Sequence, residues 1–193
     1  MSPKSKLSLP KIIDTAIDIA NQKGFENTTL AAVALRLDVK PPSLFNYVDN
    51  LNNMKDHMRL RGVQLLKEHV EKETQGKTGE GVLRGMAIGY RNFARAYPGL
   101  YSETLKLDTV RLPLIRPTWE SFIEITASIM EGYGLSGHEP LHAMRTLGSM
   151  MHGFVDLEKE VGFARPTNPD ESYTRMLDIF INGLYSYYGI SED

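Results

Sequence analysis

The chain has 193 residues, of which 41% are hydrophobic, 24% charged and 9% aromatic, and this composition is typical of a globular protein with a buried core. It contains no cysteine, which excludes disulfides, cysteine nucleophiles and cysteine-bound metals. The formal charge of −2 divides unevenly: residues 1–60 have eight Lys/Arg against six Asp/Glu, and the rest have fourteen against eighteen. No stretch reaches the ~20 apolar residues of a membrane span, so we expect a cytoplasmic protein.

Apolar residues recur at helical spacing almost throughout, and strand-like alternation does not occur, which predicts an all-α fold. The first helix has a buried stripe and ends near Gly24, which suits a helix carboxyl end. The stripe comprises Ile12, Ile13, Ala16, Ile17, Ile19 and Ala20. A second, short helix is predicted to have Thr28 as its N-cap and to end at about Leu37.

Pro41 and Pro42 mark the start of the next helix, because proline is tolerated in a first helical turn and forces the preceding residue out of helix. Residues 37–40 are therefore a turn, and the two helices form a helix-turn-helix. In the second of them Leu44 and Val48 can face the core, while Ser43, Phe45 and Asn46 point elsewhere.

A long connecting helix is predicted over residues 50–73, followed by the linker TQGKTGEG. Further helices are expected at 80–97, 99–108, 112–133, 137–162 and 169–188, separated by glycine and proline breaks. The total is about nine helices.

The segment from Ile12 to Asn50, IIDTAIDIANQKGFENTTLAAVALRLDVKPPSLFNYVDN, resembles the amino-terminal pattern of the TetR/AcrR family of transcriptional regulators. Lys-Gly-Phe-x-x-Thr-Thr and Ser-Leu-Phe-x-Tyr-Val are its most specific parts. Asp38 stands where the family usually has glycine, and Leu51 or Asn52 replaces a phosphate-binding lysine common in relatives. The resemblance implies a three-helix DNA-binding domain in residues 1–50 and a helical ligand-binding and dimerisation domain in residues 51–193.

The carboxy-terminal half resembles a subclass of these regulators with tryptophan and His-Gly signatures (WHG), seen here as Trp119 and His152-Gly153. This resemblance covers roughly residues 80–188.

The recognition segment is the strongest functional signal. In the major groove an asparagine can pair with adenine N6 and N7, and an apolar side chain favours the thymine methyl, roles that suit Asn46 and Phe45. The family resemblance and the side-chain chemistry imply phosphate contacts for Thr29, Lys40 and Tyr47. The candidate DNA-binding set is Thr29, Lys40, Pro42, Ser43, Phe45, Asn46 and Tyr47. The alternative is that Phe45 packs inside and Asn46 is an ordinary surface residue.

His138-Glu139-Pro140-Leu141-His142 matches H-E-x-x-H, the pattern in which two histidines bind zinc and the glutamate activates water. Glu158 or Glu160 would be the third ligand. However, Pro140 does not suit a helix interior, and Ser136-x-x-Glu139 predicts a capping box that places the proline near the first turn. A zinc-dependent hydrolase is therefore the alternative function, and a helical protein-binding adaptor is another.

The middle of the chain is rich in aromatic residues and methionine, a composition that favours an apolar effector site between helices. The candidate ligand-binding residues are Tyr90, Phe93, Tyr101, Trp119, Phe122, Met151 and His152. Ordinary core packing is the alternative for each of them.

The last two helices carry long apolar stripes, and in the family that these residues resemble, the equivalent helices pair across a two-fold axis. The candidate dimer contacts are Met151, Phe154, Phe180 and Leu184. The alternative is that both apolar stripes pack within one subunit.

These observations together predict a ligand-responsive DNA-binding regulator, most simply a repressor released from a palindromic duplex operator by a small apolar effector. It would act as a homodimer, catalyse no reaction and need no cofactor or metal. The identity of the effector, the operator sequence and the choice between repressor and activator stay open at this point.

Overall fold

The computed structural model describes residues 7–105, 113–163 and 167–189, and all regular secondary structure within those ranges is helical. The α-helices are α1 Leu9–Lys23, α2 Leu30–Arg36, α3 Leu51–Thr74, α4 Glu80–Ala96, α5 Pro98–Leu105, α6 Arg116–Glu131, α7 Glu139–Val161 and α8 Pro169–Tyr188. Two 3₁₀ helices span Phe25–Asn27 and Pro41–Asn46. The predicted all-α fold is confirmed, and the described residues hold nine helices when Pro41–Asn46 is counted with the α-helices. None of them is both long and apolar enough to cross a membrane.

The helix ends follow local chemistry. At α1, the Ser8 hydroxyl accepts a hydrogen bond from the Lys11 N–H, Pro10 occupies the first turn, and the Gly24 N–H closes the last turn on Ala20. At α8, the Asn168 side chain accepts from the Asp170 N–H at 2.9 Å. The predicted range of this helix, residues 169–188, is therefore confirmed at both ends.

Most predicted helix boundaries differ from the observed ones by one or two residues, as for α7, predicted over residues 137–162 and found at Glu139–Val161. Others differ by more or fall outside the described residues. Helix α6 was expected from residue 112 but begins at Arg116, because residues 113–115 form a turn. Residue 112 itself, and the predicted end of α5 at residue 108, lie outside the described residues. The connecting helix was expected over residues 50–73 and is found at Leu51–Thr74.

The chain divides into two compact units by its internal contacts: residues 1–65 with 95–119, and residues 66–94 with 120–193. Helix α3 contributes its residues up to Leu65 to the first unit and those from Leu66 to the second. The functional division predicted at residue 50 concerns activity rather than packing, and it stays a prediction.

The first unit is built on the apolar face of α1, and all six residues predicted for that stripe are buried. Helix α5 lies directly against the end of α1, where a Cβ on Gly99 would collide with the backbone of Ala20. The Gly99 N–H donates to the Asn21 side chain at 3.1 Å, which fixes this contact. Helix α5 therefore packs closely against the carboxyl end of α1.

The second unit contains most of α4 and α6, and all of α7 and α8. Helix α4 lies so close to the end of α3 that a Cβ on Gly85 or Gly89 would collide with the α3 backbone at Glu73 and His69. Glycine at both positions therefore permits a separation that a larger residue would prevent.

Candidate functional site

The turn between α2 and the 3₁₀ helix has a defined hydrogen-bond pattern. The Asp38 N–H donates to Leu35 O and the Val39 N–H donates to Ala34 O, which is the Schellman arrangement of a helix carboxyl end. This arrangement needs a left-handed residue, and Asp38 has φ 56°. Aspartate tolerates that region better than most residues, so it can replace the glycine usual in the family.

The segment that follows, Pro41–Asn46, is defined here as the recognition segment. It is a 3₁₀ helix in which both prolines occupy the first turn and Lys40 is the N-cap residue. Leu44 is 0% exposed and Val48 is 1% exposed, which confirms their predicted core positions. Phe45 is 54% exposed and Asn46 is also exposed, so the alternative that Phe45 packs inside is wrong.

Pro42 is exposed and Ser43 is half-buried on the same segment. The Asn46 side chain donates a long hydrogen bond from its Nδ2 to Ser43 O at 3.4 Å. The amide oxygen and the second amide hydrogen of Asn46 are therefore not engaged by that bond. A bidentate pairing with adenine would need both of these groups.

The three candidate phosphate ligands differ in hydrogen-bonding state. Thr29, not Thr28, is the N-cap of α2: its hydroxyl accepts from the Ala32 N–H at 3.1 Å, while Thr28 is 0% exposed. The predicted N-cap was therefore one residue too early. Lys40 is exposed. Tyr47 is half-buried, and its hydroxyl donates to Leu7 O at 2.9 Å.

The predicted effector residues are distributed over the two units. Tyr101 and Trp119 belong to the first unit; Tyr101 is fully buried and Trp119 is half-buried. The candidates in the second unit that are buried are Tyr90, Phe93, Phe122 and Met151. His152 is different: it is exposed, with its Nε2 3.3 Å from the Asp156 carboxylate.

The H-E-x-x-H stretch lies at the start of α7. His138 is the N-cap residue with no side-chain capping bond, and Pro140 is the second helical residue. The predicted capping box with Ser136 as N-cap is therefore wrong, although the proline does lie in the first turn. Both histidines are exposed, and nowhere in the described ranges do three or more His, Asp or Glu side chains form a group that could hold a metal ion.

The four candidate dimer residues lie largely on the face of α7 and α8 that packs within the chain. Met151, Phe180 and Leu184 are 5–7% exposed, and Phe154 packs edge-on against Tyr173 with ring centroids 5.0 Å apart. Several other apolar side chains of these helices face solvent in the single chain. They are Leu141 (41% exposed), Leu157 (51%), Ile179 (70%) and Tyr187 (82%).

One buried charge in the second unit was not singled out from the sequence. Arg91 is 5% exposed and makes two hydrogen bonds to the Glu158 carboxylate, at 3.0 and 2.6 Å. A third contact reaches Asp170 at 3.0 Å, and the guanidinium lies over the rings of Phe154 and Tyr173. Glu158 is 67 residues away in sequence and Asp170 is farther still, so no local pattern could have identified them.

Helices α1 and α2 and the short helix Pro41–Asn46 share a buried core, and the short third helix presents exposed side chains. This arrangement is typical of helix-turn-helix DNA-binding proteins. The family model for bacterial regulatory proteins of the tetR family matches residues 12–50, and the model for the tetracyclin repressor-like C-terminal domain matches residues 83–180. The chain therefore belongs to the TetR family and is a ligand-responsive, DNA-binding transcriptional regulator. Neither the zinc hydrolase nor the adaptor alternative is supported.

Known proteins resemble the chain over nearly its whole length. The HTH-type transcriptional regulator YobS of Bacillus subtilis (strain 168) is 29% identical over 185 residues, which cover 95% of this chain and 96% of that protein. The class D tetracycline repressor protein of Escherichia coli is 24% identical over 90% of this chain and 78% of its own length. A TetR variant from Acinetobacter baumannii AYE, solved in complex with minocycline, has a TM-score of 0.71 at 18% identity, with 96% of this chain and 100% of that chain covered.

Proposed function

We propose that the protein is a cytoplasmic repressor whose homodimer binds a palindromic operator in duplex DNA and is released by a small, largely apolar effector. The observation that carries the proposal is the recognition segment, in which Leu44 and Val48 are locked in the core while Phe45 and Asn46 face solvent. A short helix held in this way can enter the major groove without rearrangement.

Within this proposal, residues 1–50 bind DNA and residues 51–193 bind the effector and form the dimer. Asn46 reads adenine, Phe45 contacts a thymine methyl, and Thr29 and Lys40 hold phosphates. Thr29 suits this role because its capping bond uses a lone pair and leaves the hydroxyl hydrogen for a phosphate oxygen.

Tyr47 is a poorer phosphate ligand in the described conformation. A phenol has one hydrogen to donate, and Tyr47 donates it to Leu7 O. A phosphate oxygen only accepts hydrogen bonds, so the tyrosine would have to release Leu7 before binding DNA. Its more direct role is to attach the start of α1 to the end of the recognition segment.

The proposed effector region is the apolar interior of the second unit around Tyr90, Phe93, Phe122 and Met151, which are all buried. Apolar and aromatic walls with few polar groups are typical of small-molecule sites. Trp119 precedes Phe122 by one turn of α6. Trp119 and His152-Gly153 support the proposal that the chain belongs to the Trp/His-Gly subclass.

The tetracycline repressor of E. coli and the minocycline complex of the A. baumannii relative support a repressor released by a ligand. Helix α3 runs through both units and is the continuous element by which an effector could change DNA affinity. Such a ligand acts only through its different affinities for the binding and non-binding states, and a hundredfold release requires ~2.7 kcal/mol of coupling.

We assign the protein no catalytic activity. Pro140 lies in the first turn of α7 and His138 lies outside the helix, so the H-E-x-x-H residues do not form the mid-helix pair of a zinc protease.

The test begins with selection of duplexes from a random pool by the full-length protein. Asn46→Ala should weaken binding to the selected duplex by ~1–3 kcal/mol and leave binding to random duplex nearly unchanged, because a base contact is lost while phosphate contacts stay. Equal losses on both DNAs would refute the base-reading role, and failure to enrich any duplex would refute the function. Effector binding can be followed by quenching of Trp119, since it is the single tryptophan.

A further inference from the structure

The outward surface of the recognition segment is unusual in its chemistry. From Pro41 to Tyr47 the chain has no charged side chain. Its exposed groups are the two proline rings, the Phe45 ring and the Asn46 amide. This segment can therefore read DNA only through apolar contact and through a few neutral hydrogen-bonding groups.

The 3₁₀ geometry arranges these groups in edges. In a 3₁₀ helix there are three residues per turn, so side chains at i and i+3 eclipse each other. Pro42 and Phe45 therefore share one edge, and Ser43 and Asn46 share the next, consistent with the hydrogen bond from Asn46 Nδ2 to Ser43 O. We call these the apolar edge and the polar edge.

The base pairs that match these edges can be found by elimination. Guanine is read mainly by arginine or lysine at O6 and N7, and cytosine N4 by aspartate or glutamate, and the segment has none of these. Adenine is read by asparagine at N6 and N7, and thymine offers a methyl group to apolar side chains. Each A·T pair carries both features in the major groove.

The low net charge of the surrounding residues also favours recognition through base contacts. Between Thr28 and Met54 the only cations are Arg36 and Lys40, and Asp38 and Asp49 balance them. The Arg36 guanidinium is also hydrogen-bonded to the Gln22 side chain at 3.0 Å. This part of the chain therefore offers little electrostatic attraction for phosphates, so base contacts are its main contribution to specific binding.

We propose that the recognition segment reads consecutive A·T pairs, with thymine methyl groups packed against the apolar edge of Pro42 and Phe45 and adenine paired with Asn46 on the polar edge. This inference rests on the proposed DNA-binding function and names the class of half-site that the protein binds. It adds Pro42 to Phe45 as a residue that determines specificity through the methyl group.

The experiment uses duplexes selected by the full-length wild-type protein from a random pool, resynthesised with 2′-deoxyuridine in place of thymidine. Uracil pairs as thymine does but lacks the methyl group. Each contacted methyl that is removed should weaken wild-type binding about fourfold, the equivalent of ~0.8 kcal/mol for a buried methylene. Thymidines outside the half-sites should be replaceable without effect.

Variants then locate the contact. In Phe45→Ala the ratio of thymine to uracil affinities should fall toward one, whereas in Asn46→Ala it should stay at its wild-type value although overall binding weakens. Phe45 is 54% exposed, so its removal should not disturb the fold, which circular dichroism can verify. If Phe45→Ala binds too weakly to measure, the wild-type ratio decides alone.

Two results would overturn the inference while the proposed function survives: selected half-sites without A·T pairs at their core, or a wild-type thymine-to-uracil ratio of one. If the protein enriches no duplex at all, the proposed function fails instead.

Discussion

The hydrogen bonds that a side chain already makes within the protein decide whether it is available to bind DNA. Thr29 and Tyr47 each have one hydroxyl hydrogen, but Thr29 uses its oxygen as a capping acceptor while Tyr47 uses its hydrogen as a donor. Two hydroxyls that look alike in sequence therefore differ in their readiness to meet a phosphate.

Unlike the hydroxyls of Thr29 and Tyr47, the Tyr133 hydroxyl is buried and has no hydrogen-bond partner among the described residues. Burial, followed by the neighbouring Tyr185, raises the pKa of Tyr133 to about 12. The folded state therefore holds the phenol proton more tightly than the unfolded chain, whose tyrosine ionises near the ordinary pKa of 10.0. The associated stability is fully present below that pH and is lost as the pH rises toward 12.

We expect Tyr133→Phe to leave the free energy of unfolding unchanged or to raise it by up to ~2 kcal/mol, because an unsatisfied buried hydroxyl is removed. The variant should also lose less stability than the wild type between pH 9 and about 11. Urea denaturation at both pH values measures the two effects. Tyr173→Phe is the matched control: its hydroxyl donates to Ala87 O at 2.8 Å, so that variant should lose ~1 kcal/mol. A comparable loss in Tyr133→Phe would show that the hydroxyl has a partner.

Among the helices, α7 and α8 are joined to α4 by Arg91. Its bonds to Glu158 on α7 and Asp170 in the first turn of α8 meet at one guanidinium. Glu158 has a side-chain exposure of 17%, whereas Asp170 is 65% exposed, so the Glu158 pair carries most of the energetic consequence.

Arg91→Met should lower the free energy of unfolding by ~3 kcal/mol, because it removes the guanidinium that makes two hydrogen bonds to a largely buried carboxylate. Arg175→Met is the control, since Arg175 is paired with Glu171 on the exposed surface of α8 and its replacement should change stability far less than that of Arg91. Chemical denaturation of both variants measures the difference. Equal, small losses would mean that Arg91 does not hold the three helices together.

For the whole molecule, the open question is which surface a second copy covers. Leu157, Ile179 and Tyr187 are at least half exposed on α7 and α8. Among the described residues, a Cβ on Gly153 or Gly183 would meet no atom beyond its own helix within 4 Å, so both glycines leave room for another backbone to approach. This face suits the dimer interface better than the buried residues named from the sequence.

Ile179→Glu should convert the dimer to a folded monomer, because a charge would be buried at the interface without a partner. Light scattering gives the mass, and circular dichroism verifies the helical content. Thr174→Glu, on another side of α8, should remain dimeric, and Phe180→Glu should unfold because Phe180 is only 7% exposed. A dimeric Ile179→Glu would place the interface elsewhere.

The sequence by itself determined the helices and the helix-turn-helix. Periodic apolar residues define a buried face, and Pro41 and Pro42 impose a helix start whatever the surroundings, because both effects are local. The core positions of Leu44 and Val48 and the exposure of Phe45 follow from the same spacing.

Only the tertiary structure decided the rest. Over the six residues Pro41–Asn46, sequence spacing did not distinguish a 3₁₀ helix from an α-helix, yet this choice sets which residues share an edge. Apolar periodicity also does not say whether a stripe meets its own chain or another, so Phe180 proved buried while its neighbour Ile179 faces solvent. The Arg91 and Glu158 pair could not be foreseen, because the two residues meet only when the packing of α4 against α7 has brought them together.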